Sequence, residues 1–185
     1  MIRHDYRWLV VFGSNLLLLW LVGLANHNLA QFSFLWWDHC SVALYLGGLL
    51  VTYAALRLDS RHGWISTLLT GLAADSLTAL PFGTSLVLFS IVYAILLQGR
   101  HRFPREEPVF AIVVALLANL FLFIAISFLL VGNSPRPAGA WLRLFSDLLV
   151  SQGAVALLTA WFIALQNRIF VFLRQHPETG RRVAT

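Results

Sequence analysis

The sequence predicts an all-α integral membrane protein: a bundle of six transmembrane helices with both termini in the cytoplasm. Of its 185 residues, 59% are hydrophobic and only 11% are charged, whereas soluble domains carry about 25% charged residues. The apolar residues form continuous runs close to the roughly 20 residues that a membrane helix needs. A bilayer-spanning chain must be a helix bundle or a closed barrel, and the runs lack the alternation of barrel strands.

The runs place six spans along the chain. They cover approximately residues 8–25, 39–56, 63–80, 83–98, 109–131 and 145–166. Arg3 and Arg7 before the first run resemble a signal peptide, but the run is longer than the apolar region of such peptides. We therefore predict an uncleaved first span. The aromatic stretch Phe32–Trp37 before the second span is typical of a membrane interface.

The arginines test this topology. The chain has 13 arginines and no lysine. With the amino terminus inside, all of them except Arg136 and Arg143 fall in cytoplasmic segments, as the positive-inside rule requires. The net charge of +5 therefore indicates membrane orientation rather than nucleic-acid binding. No segment outside the spans can build a second core, so we predict one domain over residues 1–176 and a disordered polar tail over 177–185.

Small and polar residues follow two neighbouring faces of the third span. One row is Gly63, Thr67, Gly71, Asp75 and Ala79, and the other is Ser66, Thr70, Ala74 and Thr78. Membrane helices approach one another closely through such residues. We predict that this helix is central to the bundle, that its leucine-rich face meets lipid or another apolar helix, and that the row Thr67–Asp75 receives a partner helix.

Asp75 is the most informative residue, because a carboxylate in the middle of a membrane helix costs roughly 3 kcal/mol. It lies about 18 Å along the axis from Gly63, just outward of the midplane. Asn119 in the fifth span lies at a similar depth and is predicted to donate a hydrogen bond to Asp75. Two roles stay open for this carboxylate: a purely structural one, and a direct one in binding a partner or ligand.

The segment Leu80-Pro81-Phe82-Gly83 predicts a tight turn between the third and fourth spans. Proline cannot continue the third helix without losing a hydrogen bond, and glycine tolerates a sharp reversal. Because the connection is short, the two spans should form an antiparallel hairpin. A turn with no binding role is the simplest interpretation.

Other segments carry weaker signals. We predict that Asp147 interacts with the dipole of the sixth helix. Residues 26–38 and 132–143 are predicted to form outer loops. The tail 167–176 should either extend the sixth helix or lie in the membrane interface. Cys40, the only cysteine, is expected to be a packed thiol. The six histidines show no metal-ligand spacing, and no catalytic motif is present. We predict no enzyme activity, metal or cofactor.

The stretch Gly71–Gly83, followed by an apolar span ending in Gln98-Gly99-Arg100, resembles the family of the rod shape-determining protein MreD. Members are similar in size, have about six spans, and carry a comparable Gly, Asp and Pro-x-Gly pattern at this hairpin. The likeness covers residues 40–170, and its distinctive motif is short. Here Ser76–Ala79 lacks the glycine that is common in the family, and Phe82 replaces a common leucine.

The resemblance implies a non-catalytic scaffold of cell elongation in the bacterial inner membrane. Such proteins are thought to bind the single-pass protein MreC, and so to link the synthase RodA and its penicillin-binding transpeptidase to MreB filaments. The family's fold is similar to the substrate-binding subunits of energy-coupling-factor vitamin transporters. The residues that the pattern marks for partner binding are Thr67, Gly71, Asp75, Pro81, Phe82, Gly83 and Asn119.

The alternative function is a substrate-binding membrane subunit of a vitamin-type transporter. It would need a polar cavity open to the outside, and Gln152, Asp75 and Asn119 are among the few polar residues available for one. An intramembrane enzyme ranks third, because no catalytic pair lies at matched depth.

Overall fold

A computed structural model of the chain describes residues 7–36, 43–78, 81–100, 108–131 and 137–172. Within these ranges every regular element is an α-helix, which confirms the predicted fold class at this level. The helices are α1 (Arg7–Trp36), α2 (Gly47–Arg57), α3 (Ser60–Leu77), α4 (Thr84–Gly99), α5 (Pro108–Val131) and α6 (Pro137–Phe172). Three of them, α1, α5 and α6, are long and apolar enough to cross a membrane.

The first and last helices are longer than the hydrophobic runs predict. Helix α1 continues to Trp36 and so passes through most of the segment predicted to be an outer loop. Helix α6 begins at Pro137 rather than near Phe145. Proline is favoured in the first turn of a helix, where its missing N–H costs nothing, so the prediction of an extended loop up to Arg143 was wrong. At its other end α6 does extend, reaching Phe172.

The second span is shorter than predicted. Helix α2 has 11 residues, and a helix of that length rises only about 16 Å. The four residues Ala43–Leu46 before it are not helical. At roughly 3.3 Å per residue, four residues add at most about 13 Å. Helix and segment together therefore reach at most about 30 Å, the thickness of a bilayer core.

Helix α2, rather than α3, is the centre of the bundle. Its residues Gly47–Leu56 are all buried, and it contacts each of the five other helices. Helix α3 packs mainly on α4 and α1. The two faces of α3 are sorted largely as predicted. Most of the small residues are buried, whereas Ile65, Leu68, Leu72 and Leu77 are exposed. Thr78, which follows the last residue of α3, is exposed as well.

Hydrogen bonds between helices fix their relative directions. Gln166 in α6 donates to the Ser14 hydroxyl of α1 at 2.8 Å, so the start of α1 and the end of α6 lie at the same end of the bundle. Arg100 donates to the carbonyl of Leu58 there, at 2.7 Å. We call this the arginine end, because it holds the described side chains of Arg7, Arg57, Arg61, Arg100 and Arg168. The opposite end, with the α3–α4 turn, is the hairpin end.

Several predicted features lie outside the described residues. They are the aromatic residue Trp37, the packed thiol Cys40, the turn residue Leu80, the cytoplasmic arginines Arg102 and Arg105, and the tail 177–185.

Candidate functional site

The candidate site is the hairpin where α3 ends and α4 begins. Asp75 lies in the last turn of α3, and only 4% of its surface is exposed. Its carboxylate accepts three backbone hydrogen bonds from the start of α4: from Gly83 at 3.0 Å, Ser85 at 2.7 Å and Leu86 at 3.2 Å. Asp75 therefore caps α4 from a neighbouring helix.

This arrangement explains how a carboxylate is tolerated here. The first N–H groups of a helix have no partner within that helix, and the positive end of the helix dipole favours a negative charge. The residue at the cap position of α4 is Gly83, which has no side chain to serve those groups. Asp75 supplies the missing acceptors, and α4 in turn solvates the charge. Both groups would be costly to bury alone.

The turn itself requires its glycine. Gly83 has φ +95°, in the left-handed region that side-chain-bearing residues avoid. The carbonyl of Pro81 accepts from both the backbone and the hydroxyl of Thr84, at 3.1 and 2.7 Å. Phe82, between them, is 77% exposed. The hairpin is thus a fixed turn that presents one large apolar side chain at its tip.

The small-residue row of α3 is filled from within the chain. A Cβ atom added to Gly71 would stand 2.7 Å from the Cα of Leu86 in α4, so the two backbones are in direct contact. Thr67 is 1% exposed. Of the residues predicted to bind a partner, Thr67, Gly71 and Asp75 are therefore buried by the chain's own helices, and the row does not offer a groove to a partner helix.

Asn119 does not pair with Asp75, and that prediction was wrong. Its side-chain oxygen accepts from the backbone N–H of Gly48 at 3.1 Å, and its amide nitrogen has no hydrogen-bond partner. A Cβ atom at Gly48 would overlap the backbone of Asn119. Asn119 therefore caps the start of α2 where α2 packs tightly on α5, away from the hairpin.

A second capped segment was missed by the sequence reasoning. The non-helical residues Ala43–Leu46 have their backbone groups bonded by side chains of α1 and α6. Asn26 accepts from the N–H of Leu44 at 2.7 Å and donates to its carbonyl at 3.0 Å. Such bonds are required because non-helical backbone at membrane depth has no water to satisfy it.

Two residues of α6, one helical turn apart, also bond the backbone of this non-helical segment. Asp147 accepts from the N–H of Ala43 at 3.0 Å, and the Ser151 hydroxyl accepts from that of Tyr45 at 3.0 Å. Because α6 begins at Pro137, Asp147 does not lie in its first turn, and the predicted interaction with the dipole of α6 was wrong. The available signal in the sequence was a polar residue toward the hairpin end of both α1 and α6, namely Asn26 and Asp147.

Polar side chains also join the helices in the interior. Asn15 of α1 donates both to the Leu50 carbonyl of α2 and to the Thr70 hydroxyl of α3, each at 3.1 Å. Near the arginine end, Tyr53 donates to Asn167 at 3.0 Å. These bonds orient α1, α3 and α6 around α2, and they occupy polar groups that a binding site would otherwise use.

The rest of the hairpin end includes a small cavity, and its described residues form no recognisable reaction centre. A cavity of about 110 Å³ lies between α1, the segment 43–46, α2, α3 and α4. Within the described parts of the chain, no three histidine, cysteine, aspartate or glutamate residues are grouped closely enough to hold a metal ion. Gln152, the third polar residue considered for a transport cavity, donates to the Leu116 carbonyl of α5 instead.

Comparison with known proteins adds no assignment. No family model, curated protein or solved structure matches the chain.

Proposed function

We propose that this protein is an MreD-like, non-catalytic scaffold of bacterial cell elongation that resides in the inner membrane with six spans and both termini in the cytoplasm. The proposal starts from the Asp75-to-Gly83 motif of the sequence. One structural observation carries it further: a buried carboxylate fixes the hairpin so that Phe82 projects from its tip. A rigid, exposed aromatic side chain is a typical anchor of a protein interface.

In this proposal the partner is MreC, and through it the chain supports RodA, the penicillin-binding transpeptidase and MreB. The accessible members of the predicted site, Pro81, Phe82 and Gly83, form the contact. The buried members, Thr67, Gly71, Asp75 and Asn119, hold the helices that position it. Asp75 thus acts on partner binding through the shape of the turn.

The test is affinity purification of the tagged protein in mild detergent, followed by identification of bound proteins. MreC should co-purify, and depletion should turn a rod-shaped host round. Phe82→Ala should reduce MreC recovery while the protein level stays normal. Phe172→Ala is a matched control, because Phe172 is also highly exposed but lies at the arginine end. Normal cell shape in a clean deletion would contradict the proposal.

The cavity at the hairpin end favours a second candidate, a transporter subunit that binds a vitamin-type substrate. Its volume of about 110 Å³ is well below the roughly 300–1,000 Å³ of typical ligand pockets. The nearby Asn26 and Asp75 side chains are already hydrogen-bonded within the chain. Sub-micromolar vitamin binding by the purified protein would nevertheless place this candidate first.

A further inference from the structure

The cavity at the hairpin end has hydrocarbon walls. Most of its lining side chains are aliphatic or aromatic, and they include Leu18, Leu19, Val22, Leu46, Leu50 and Phe89. Among its polar residues, the Asn26 amide is paired with Leu44 and the Ser85 N–H with Asp75, whereas the buried Tyr45 hydroxyl has no hydrogen-bond partner. A ligand with several polar groups would leave most of its hydrogen-bonding groups unsatisfied in such a site.

The cavity has an exposed rim and a buried floor. Gly23 of α1, Leu77 at the end of α3 and the following Thr78 line it and are exposed, whereas Leu50 of α2 and Phe89 of α4 are 2% and 1% exposed. The opening therefore lies between α1 and α3. The outer faces of both helices beside it carry exposed apolar side chains, including Leu24 and Leu72. In a membrane this opening meets acyl chains rather than water.

We propose that this cavity binds the end of one acyl chain of a phospholipid, which enters sideways from the bilayer between α1 and α3. Lipid tails and the cavity walls are equally apolar, so the attraction comes from filling the void, because side chains around an empty space lose dispersion contacts. Gly23 has no side chain to close the opening, and no described atom beyond its own stretch of helix lies within 4 Å of where its Cβ would be. The proposal depends on the membrane placement of the chain and is independent of MreC.

The test uses the full-length protein in nanodiscs that contain phosphatidylcholine with a diazirine near the end of one acyl chain. After illumination, the labelled residues are identified by mass spectrometry. Lipid surrounding the bundle can label exposed residues only. Label on Leu50 or Phe89 therefore requires that a chain has entered the cavity, and this is the expected result for the wild-type protein.

A matched pair of variants tests the entry route. Gly23→Leu should block the opening and remove the label from Leu50 and Phe89. Gly13→Leu is the control, because Gly13 lies on the same helix with equally open space around it but does not line the cavity. The Gly13→Leu variant should keep the label on Leu50 and Phe89. Both variants should keep the label on exposed Phe128 of α5. If Gly23→Leu does not fold, Leu77→Trp on the opposite rim replaces it.

Two results would overturn the proposal. One is that the wild-type protein is labelled only on exposed residues. The other is that the label on Leu50 and Phe89 persists unchanged when the opening is blocked. Protection of the floor by a water-soluble vitamin, rather than by unlabelled phospholipid, would also overturn it. Loss of MreC binding alone would not affect any of these readouts.

Discussion

Asp75 shows how one buried carboxylate can organise a helical hairpin. It accepts from three N–H groups at the start of α4 and lies almost fully buried. An isolated charge there would be expensive, whereas a charge held by three donors at a helix start is stabilised. These bonds explain the buried position of the residue, and under the proposed function it acts on a partner only through the turn that it shapes.

Replacing this carboxylate should destabilise the hairpin without preventing membrane insertion. Asp75→Leu leaves three buried donors unsatisfied, and we expect it to lower the free energy of unfolding by about 1–3 kcal/mol. Equilibrium unfolding in mild detergent measures the loss. Asp59→Leu is the matched control, because Asp59 precedes α3 but makes no side-chain capping bond, and its effect should stay within about 0.5 kcal/mol. Equal effects of the two substitutions would refute the capping role.

Gly83 makes a separate contribution through its backbone. Gly83→Ala should cost about 1–2 kcal/mol, because its φ of +95° places a Cβ against the following carbonyl. Gly153→Ala provides the contrast: Gly153 lies inside α6 with open space around it, so alanine should raise stability by up to about 1 kcal/mol. The same unfolding assay compares them. If Gly83→Ala proved as stable as the wild type, the turn would not need its left-handed conformation.

At the level of elements, α2 is a short helix preceded by the non-helical residues Ala43–Leu46. These four residues are bonded to side chains of α1 and α6, which replace missing helical hydrogen bonds. The tight contact of Gly48 on the backbone of Asn119 then fixes α2 against α5. These contacts explain why, among the described residues of the predicted second span, the helix begins only at Gly47.

The third prediction concerns the hydrogen bonds that hold the non-helical residues Ala43–Leu46. Asn26→Leu removes both bonds to Leu44 and should lower the free energy of unfolding by about 1–3 kcal/mol. Asn28→Leu is the control, since Asn28 is exposed and bonds only within its own helix, to Leu24. Hydrogen exchange of the Leu44 amide, followed by mass spectrometry, should accelerate in the first variant alone. Unchanged exchange there would mean that other contacts hold the segment.

At the scale of the whole molecule, charge is sorted between the two ends of the bundle. The described arginine side chains lie at the arginine end, together with the start of α1 and the end of α6. Cytoplasmic segments of membrane proteins are enriched in such residues. The start of α1 and the end of α6 thus lie at the end of the bundle where the described arginines are found.

We accordingly predict that both termini are cytoplasmic. Fusions of alkaline phosphatase to either end should be inactive, because this enzyme requires the periplasm, whereas green fluorescent protein at either end should fluoresce. An alkaline phosphatase insertion near Gly132, between α5 and α6, should be active. Termini found on opposite sides of the membrane would contradict the six-span topology.

Composition and run length were sufficient to predict the helical class, the six helices of the described residues and the exposed, leucine-rich side of α3. These depend on local properties, namely the cost of exposing polar backbone to lipid and the period of the helix. The glycine at the turn was also predictable, because the reversal between two spans is a local event.

The partners of the polar side chains were not predictable in this way. Asp75 and Asn119 lie at similar depth along their spans, but depth does not tell which helices are neighbours, and each residue in fact caps a different helix start. The central position of α2 and the non-helical residues Ala43–Leu46 before it likewise depend on contacts between distant parts of the chain. A hydrogen bond requires that its donor and acceptor lie within bonding distance, and only the packing of the helices brings these groups together.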